Sequence, residues 1–175
     1  GLAVILIMEL LLVIFLSARI AKMSPSVAKA CFILYSFVNG LFFSVYFVEF
    51  QIASLIYVFL ITAIIFAVFA LIGATTKMDL TKIGSYLLMG LLAIIICGII
   101  NIFVGSSSFD FVLSILAVIL FLGYTAYDVN VIMNSDKFAT VPEENLAIYG
   151  ALQLYLDFIN LFIRLIEFFG KRKDN

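Results

Sequence analysis

The feature that most constrains this chain is a series of apolar runs. Six of them, each close to the roughly 17–25 residues that cross a bilayer core, follow one another with only short polar links between. They are about Leu2–Ser17, Val27–Val48, Ile52–Gly73, Ile83–Val104, Phe109–Tyr127 and Leu146–Gly170. In lipid every backbone N–H and C=O needs a partner inside its own segment, so each run is predicted to be an α-helix. Composition agrees, at 66% hydrophobic and 12% charged residues, against about 45–50% and about 25% in soluble domains. A water-facing surface cannot be built from such a chain. The predicted fold is all-α: one integral membrane domain over residues 1–175, a polytopic bundle with six transmembrane helices and the lipid bilayer as its solvent.

What the chain lacks excludes other classes. Its net charge of −1 gives no basic surface for nucleic acid. Histidine is absent, which argues against haem or zinc and removes the usual acid–base residue. Cys31 and Cys97 both fall in apolar runs and read as small packing residues rather than ligands or a redox pair. The chain begins at Gly1 already inside an apolar run, without a charged n-region or cleavage site, so it does not read as a signal peptide. Further residues are expected upstream.

The links carry turn chemistry and a charge bias. Met23-Ser24-Pro25-Ser26 reads as a helix start, with Ser24 able to cap and Pro25 suited to the first helical position. Asp79 is a candidate N-cap, and Gly105-Ser106-Ser107-Ser108 a tight turn. The longest link is about Asn130–Asn145. Arg19, Lys22, Lys29, Lys77, Lys82 and Lys137 all fall at one end of the predicted bundle, and the links around Glu49 and Ser106 have no Lys or Arg. The positive-inside rule puts the basic end in the cytoplasm. The tail Lys171-Arg172-Lys173 conflicts with this if segment six spans. Either that segment returns to its own side or the earlier loops outvote the tail; the dominance of early helices favours a span. Ser36, Gly40 and Ser44 on segment two, and Gly90 and Gly98 on segment four, recur at helical spacing and read as packing faces.

Ionisable residues inside membrane helices cost about 2.5–3.5 kcal/mol at the helix centre and mark ion or proton paths. Segment six carries most of them. Tyr149, Gln153, Asp157, Asn160, Arg164 and Glu167 fall on one stripe of an otherwise apolar helix. The competing reading is an amphipathic helix lying flat on the membrane. Asp157 and Asn160 argue against it, because they sit mid-segment between Leu154-Tyr155-Leu156 and Leu161-Phe162-Ile163. Asp128 is predicted at the cytoplasmic end of segment five, either as a helix-end carboxylate exposed to water or, because the helix dipole disfavours a carboxylate there, beside a cation or a shared proton. Arg19, at the same end of segment one, is able to pair with it or to serve as an ordinary positive-inside anchor. Glu9, near the middle of segment one, has to be paired or protonated.

Two buried carboxylates and an arginine form one titratable unit. Two carboxylates a few ångströms apart share a proton and titrate in coupled steps. A divalent cation can replace that proton, and oxygen-only ligands suit Ca²⁺. No other cofactor is implied.

The segment Ala151-Leu152-Gln153-Leu154-Tyr155-Leu156-Asp157-Phe158-Ile159-Asn160-Leu161-Phe162 resembles the signature of the Bax inhibitor/YccA-like (transmembrane Bax-inhibitor-motif) family. Lys77-Met78-Asp79-Leu80, Asn101-Ile102-Phe103 and Ala126-Tyr127-Asp128 resemble it too, and together the matches span nearly the whole chain. The resemblance implies a bacterial member with seven transmembrane helices, the last one central and the first lying upstream of this sequence. It also implies a pH-sensitive Ca²⁺ leak of the inner membrane, in which Asp128 and Asp157 form a dyad for Ca²⁺ and protons and Arg19 is its latch. Other members bind and modulate a membrane-anchored AAA protease, which is the alternative reading. An enzyme is not expected. Tyr127-Asp128 matches half of an intramembrane aspartyl protease motif, but Leu154-Tyr155-Leu156 precedes Asp157 where that motif needs Gly-x-Gly.

Overall fold

The computed structural model describes residues 13–134 and 140–174. Helix α1 covers residues 13–19 and tightens into a 3-10 turn at Ile20–Lys22. Then come α2 (Pro25–Glu49), α3 (Ile52–Thr75), a second 3-10 turn (Leu80–Ile83), α4 (Gly84–Val104), α5 (Ser107–Asn134) and α6 (Glu143–Phe169). Five helices, counting the second turn with α4, are long and apolar enough to cross a membrane. The first predicted segment lies mostly outside the described residues, and Glu9, Asp136 and Lys137 lie wholly outside them. Among the described residues there is no strand, only an isolated antiparallel bridge between Phe50 and Arg172.

The helix ends follow from local chemistry. Pro25 takes the first position of α2, and the Ser24 backbone carbonyl accepts from the Ala28 N–H at 2.9 Å. The Ser24 side chain makes no cap bond, contrary to expectation. Asp79 does cap, accepting from the Thr81 N–H at 3.0 Å, but it caps the 3-10 turn that leads into α4. The Thr81 side chain and N–H hold the exposed Asp79 carboxyl below the usual carboxylate range. Gly105 ends α4 in the left-handed region, with φ +68°, and donates to the Asn101 carbonyl. Asn101 then bonds Ser106 twice, N–H to Oδ1 and Nδ2 to carbonyl, which closes the α4–α5 turn.

α5 and α6 form the centre of the bundle. α6 packs against α5, α3, α2 and the first 3-10 turn; α5 packs against α6, α3, α4 and the second turn. The last helix is therefore central, and it shares the centre with α5. Large apolar side chains on the outer faces, such as Ile33, Leu34, Phe37, Leu71 and Phe103, are more than half exposed, as a lipid solvent allows. Gly73 sets the closest helix approach, because a Cβ there would lie 2.1 Å from the Ala126 carbonyl oxygen. The face of Ser36, Gly40 and Ser44 behaves otherwise than its spacing implied. A Cβ at Gly40 would meet nothing within 4 Å, and α2 packs through Tyr35 and Asn39 instead. Gly98 is equally open, while Gly90 faces Leu120 of α5.

α6 is unbroken and runs from one end of the bundle to the other. At its start Asn145 bonds the α1–α2 turn; at its end Gly170 packs on Phe50 of the α2–α3 link. The tail is tied down at this far end. Gln51 N–H donates to the Lys171 carbonyl, Lys173 N–H to the Glu49 carbonyl and Lys173 Nζ to the Phe47 carbonyl, each at 2.8–2.9 Å. Arg172 lies 5.4 Å over the Phe50 ring. A returning segment is thus ruled out, and the basic tail sits opposite the basic loops. Single cysteines replacing Lys77 and Lys173 should accordingly react with an impermeant thiol reagent from opposite sides of the membrane. Labelling of both from one side would contradict the span.

Candidate functional site: a buried carboxyl pair between α5 and α6

Two apolar clusters bracket the site. One joins Leu16, Ile20, Ala28 and Tyr35 to Ile148 and Leu152 of α6; the other joins Phe50, Leu55 and Val58 to Leu161, Leu165 and Ile166. Asp157 falls on α6 between them, 4% exposed. Across the interface stands Asp128 of α5, 9% exposed. The two carboxyl groups approach each other closely enough for each to act on the other. Each keeps a second oxygen, Oδ2, that is buried and has no hydrogen-bond partner. Tyr124 and Tyr149 lie within electrostatic range of both carboxyls, and Tyr127 within range of Asp128.

Asp128 is not at a helix end, as the sequence had suggested. α5 continues past it to Asn134, so the dipole argument does not apply, and burial against α6 is what matters. A hydrogen bond between two carboxyl groups needs a proton on one of them. The pair is therefore compatible with one proton, or with a cation in its place.

The other predicted residues disperse. Arg19 does not reach the pair. It is exposed, its guanidinium lies 5.5 Å over the ring of Phe15, and among the described residues no ion pair joins it to an aspartate. The reason is helix register: Leu16 and Ile20 take the buried face of α1, which leaves Arg19 stacked on Phe15 one turn back on the flank. Gln153 donates to Ser17 Oγ at 3.2 Å, so it serves α1. Asn160 donates to the Leu156 carbonyl of its own helix at 2.8 Å. Arg164 donates to Ser114 Oγ of α5 at 3.2 Å and pairs with Glu167 at 3.1 Å. The stripe is real, and of it Asp157 and Tyr149 lie near Asp128.

Three asparagines escaped the sequence reading. Asn39, buried midway along α2, donates to the Tyr155 hydroxyl at 2.9 Å. Asn130, two residues beyond Asp128, donates to the Gly73 carbonyl at 3.1 Å and accepts from the Leu80 N–H at 3.3 Å. It pins the α3–α4 link to α5. Asn145 donates to the Ile20 and Met23 carbonyls at 3.0 and 2.7 Å and pins the α1–α2 turn to α6. Asn39 was detectable by the rule that found Asp157, a polar residue amid an apolar run. Asn145 was detectable as a further member of the α6 stripe, four residues before Tyr149.

Residues 1–174 match the family model described as "Inhibitor of apoptosis-promoting Bax1". The chain belongs to the Bax inhibitor family. Like its relatives it is an integral membrane protein. It is 40% identical over 173 residues to "Inner membrane protein YbhL" of Escherichia coli strain K12, covering 97% of this chain and 74% of that protein. An uncharacterized protein of Borreliella burgdorferi is 43% identical over 167 residues, 94% of this chain and 72% of the relative. An uncharacterized membrane protein of Streptococcus pyogenes serotype M1 is 34% identical, with the same two coverages.

The pins make a stability test. Asn130→Ala leaves the buried Gly73 carbonyl and the Leu80 N–H without their partner, at about 1–3 kcal/mol for each unsatisfied group. Thermal unfolding of purified protein in detergent should show a clear loss of stability. A melting temperature equal to that of the parent would contradict the pin.

Proposed function

We propose that this Bax inhibitor-family protein is a passive Ca²⁺ leak of the membrane, with the Asp128–Asp157 pair as the point where Ca²⁺ and protons compete. One observation carries the reading: two neighbouring carboxyl groups, buried between the two central helices, each with an oxygen that has no hydrogen-bond partner. Most buried polar groups are hydrogen-bonded. This pair leaves two acceptors open in a place where desolvation makes an open acceptor costly.

The chemistry then follows from charge. With one proton shared, the pair carries a single negative charge and α5 is bonded to α6. Without it, two carboxylates face each other, and a hard divalent cation is the species that relieves their repulsion. Ca²⁺ takes six to eight oxygens, and the pair supplies at most four. Among the described residues no group of three or more acidic, histidine or cysteine side chains forms a metal cage. Water has to complete the shell, so the ion is held weakly. A conducting site needs that property, because an ion that enters must also leave. Arg164 and Ser114, further along the same interface, place polar atoms between Asp157 and the far end of the bundle. The reading assigns passive conduction and no catalytic residue.

Sign follows from competition. Protons occupy the same oxygens as Ca²⁺, so Ca²⁺ affinity falls as pH falls. Asp157→Asn removes one charge while keeping shape and hydrogen-bonding capacity. We expect it to stay folded, to bind Ca²⁺ at least about tenfold more weakly, the equivalent of about 1.4 kcal/mol, and to lose the pH dependence. Equilibrium Ca²⁺ binding to purified protein, at neutral and mildly acidic pH, measures this. A folded Asp157→Asn protein with the parent's affinity and pH profile would place the site elsewhere.

A further inference from the structure

Among the described residues three buried side-chain oxygens lack a hydrogen-bond partner, and the third is Asn145 Oδ1. Asn145 lies in the first turn of α6, 1% exposed, on the same stripe as Tyr149, Gln153 and Asp157. Its Nδ2 is used twice, on the Ile20 and Met23 carbonyls. Those carbonyls belong to the 3-10 turn that leads from α1 towards α2 and to the residue that caps it. Two turns of helix further on, Gln153 Nε2 holds Ser17 Oγ. α1 thus runs antiparallel along α6, from Ser17 beside Gln153 to Met23 beside Asn145. It covers the part of the polar stripe that separates Asp157 from the cytoplasmic end. Leu16 and Ile20, at 2% and 0% exposure, seal the contact against Ile148 and Leu152.

We propose that Asn145 is a positioning residue, an amide clamp that fastens the α1–α2 turn onto the aspartate-bearing helix, and that the cytoplasmic mouth of the polar stripe opens when this clamp is released. The clamp is built to be broken. Asn130, its counterpart on α5, has both ends of its amide bonded. Asn145 has one end bonded and the other stranded in a buried site, so closure holds at the expense of an unsatisfied acceptor. Only a donor can face the two carbonyls. A carboxylate in the same place would put an anion against two carbonyl oxygens and push the turn away.

The clamp has a readout that does not depend on conduction, although its role as a gate rests on the leak reading. In full-chain protein reconstituted in liposomes, with Cys31 and Cys97 replaced by alanine, a cysteine at Ile20 reports whether the turn is seated. A water-soluble maleimide should label it at least about tenfold faster in Asn145→Asp than in the parent, because both hydrogen bonds to the turn are lost. Asn145→Ser keeps a single donor and should fall between; it also serves if the aspartate variant does not fold. Asn130→Ala, which loosens the α3–α4 link instead, should leave the labelling rate unchanged. Unchanged labelling in both Asn145 variants, or an equal rise in Asn130→Ala, overturns the clamp. Ca²⁺ efflux from the same liposomes separates the two claims. Faster labelling with raised efflux supports clamp and gate together. Faster labelling with unchanged efflux keeps the clamp and overturns its role as a gate. If the parent conducts no Ca²⁺ at all, the leak reading fails while the labelling still decides the clamp.

Discussion

In the middle of this bundle two carboxyl groups are buried face to face between the two central helices, and the surrounding structure is arranged to hold them there. A lone ionised aspartate at this depth is expensive, and two ionised aspartates in contact are more so. The cost is contained because α5 and α6 press the groups together out of contact with lipid. α3, α4 and α2 wrap the outside and present their apolar faces outward. The two apolar clusters on α6 leave a gap between Leu152 and Leu161, and Asp157 occupies it. Gly73, by letting α3 approach α5 at Ala126, brings the neighbouring wall close to the turn that carries Asp128.

The ends of the bundle are organised by amides instead of by charges. Asn130 and Asn145 each fasten a helix connection to one of the two aspartate helices, and Asn101 closes the turn at the opposite end. An amide donates and accepts without a charge to desolvate, which suits positions where backbone carbonyls emerge from helix ends near lipid. The basic residues have a different part. At the end where Arg19, Lys22, Lys77 and Lys82 gather, the positive-inside rule makes them the signal for orientation. At the far end the tail is held against Phe47, Glu49, Phe50 and Gln51 by backbone bonds and a cation–π contact, so its charges are tied into the fold despite their unfavourable side.

How much of this was legible depends on what each residue signals locally. The helices were legible, because lipid leaves an apolar run no other structure. Asp157 stood out because a carboxylate in mid-span has no ordinary role; Asp128, read at a helix end, stood out by its conflict with the helix dipole, and the family resemblance carried both positions. Arg19 did not reach the pair. Its direction is fixed by which face of α1 buries Leu16 and Ile20, and a charge at a segment end carries no register of its own. Asn130 and Asn145 were hidden by the boundary itself: the sequence placed the long link between them, whereas α5 runs to Asn134 and α6 starts at Glu143. Ser36, Gly40 and Ser44 had the spacing of a packing face, yet among the described residues nothing comes within 4 Å of a Cβ at Gly40, since spacing specifies a stripe but not what lies opposite it.

Conduction that depends on the two carboxyls is the central claim, and flux tests it most directly. Purified protein in liposomes loaded with a Ca²⁺ indicator should pass Ca²⁺ above the rate of empty vesicles, at a rate that changes between neutral and mildly acidic pH. The Asp128→Asn, Asp157→Asn double variant, folded and inserted equally, should lose that change. Flux no faster than through protein-free vesicles, or a double variant with the parent's pH profile, would contradict the account.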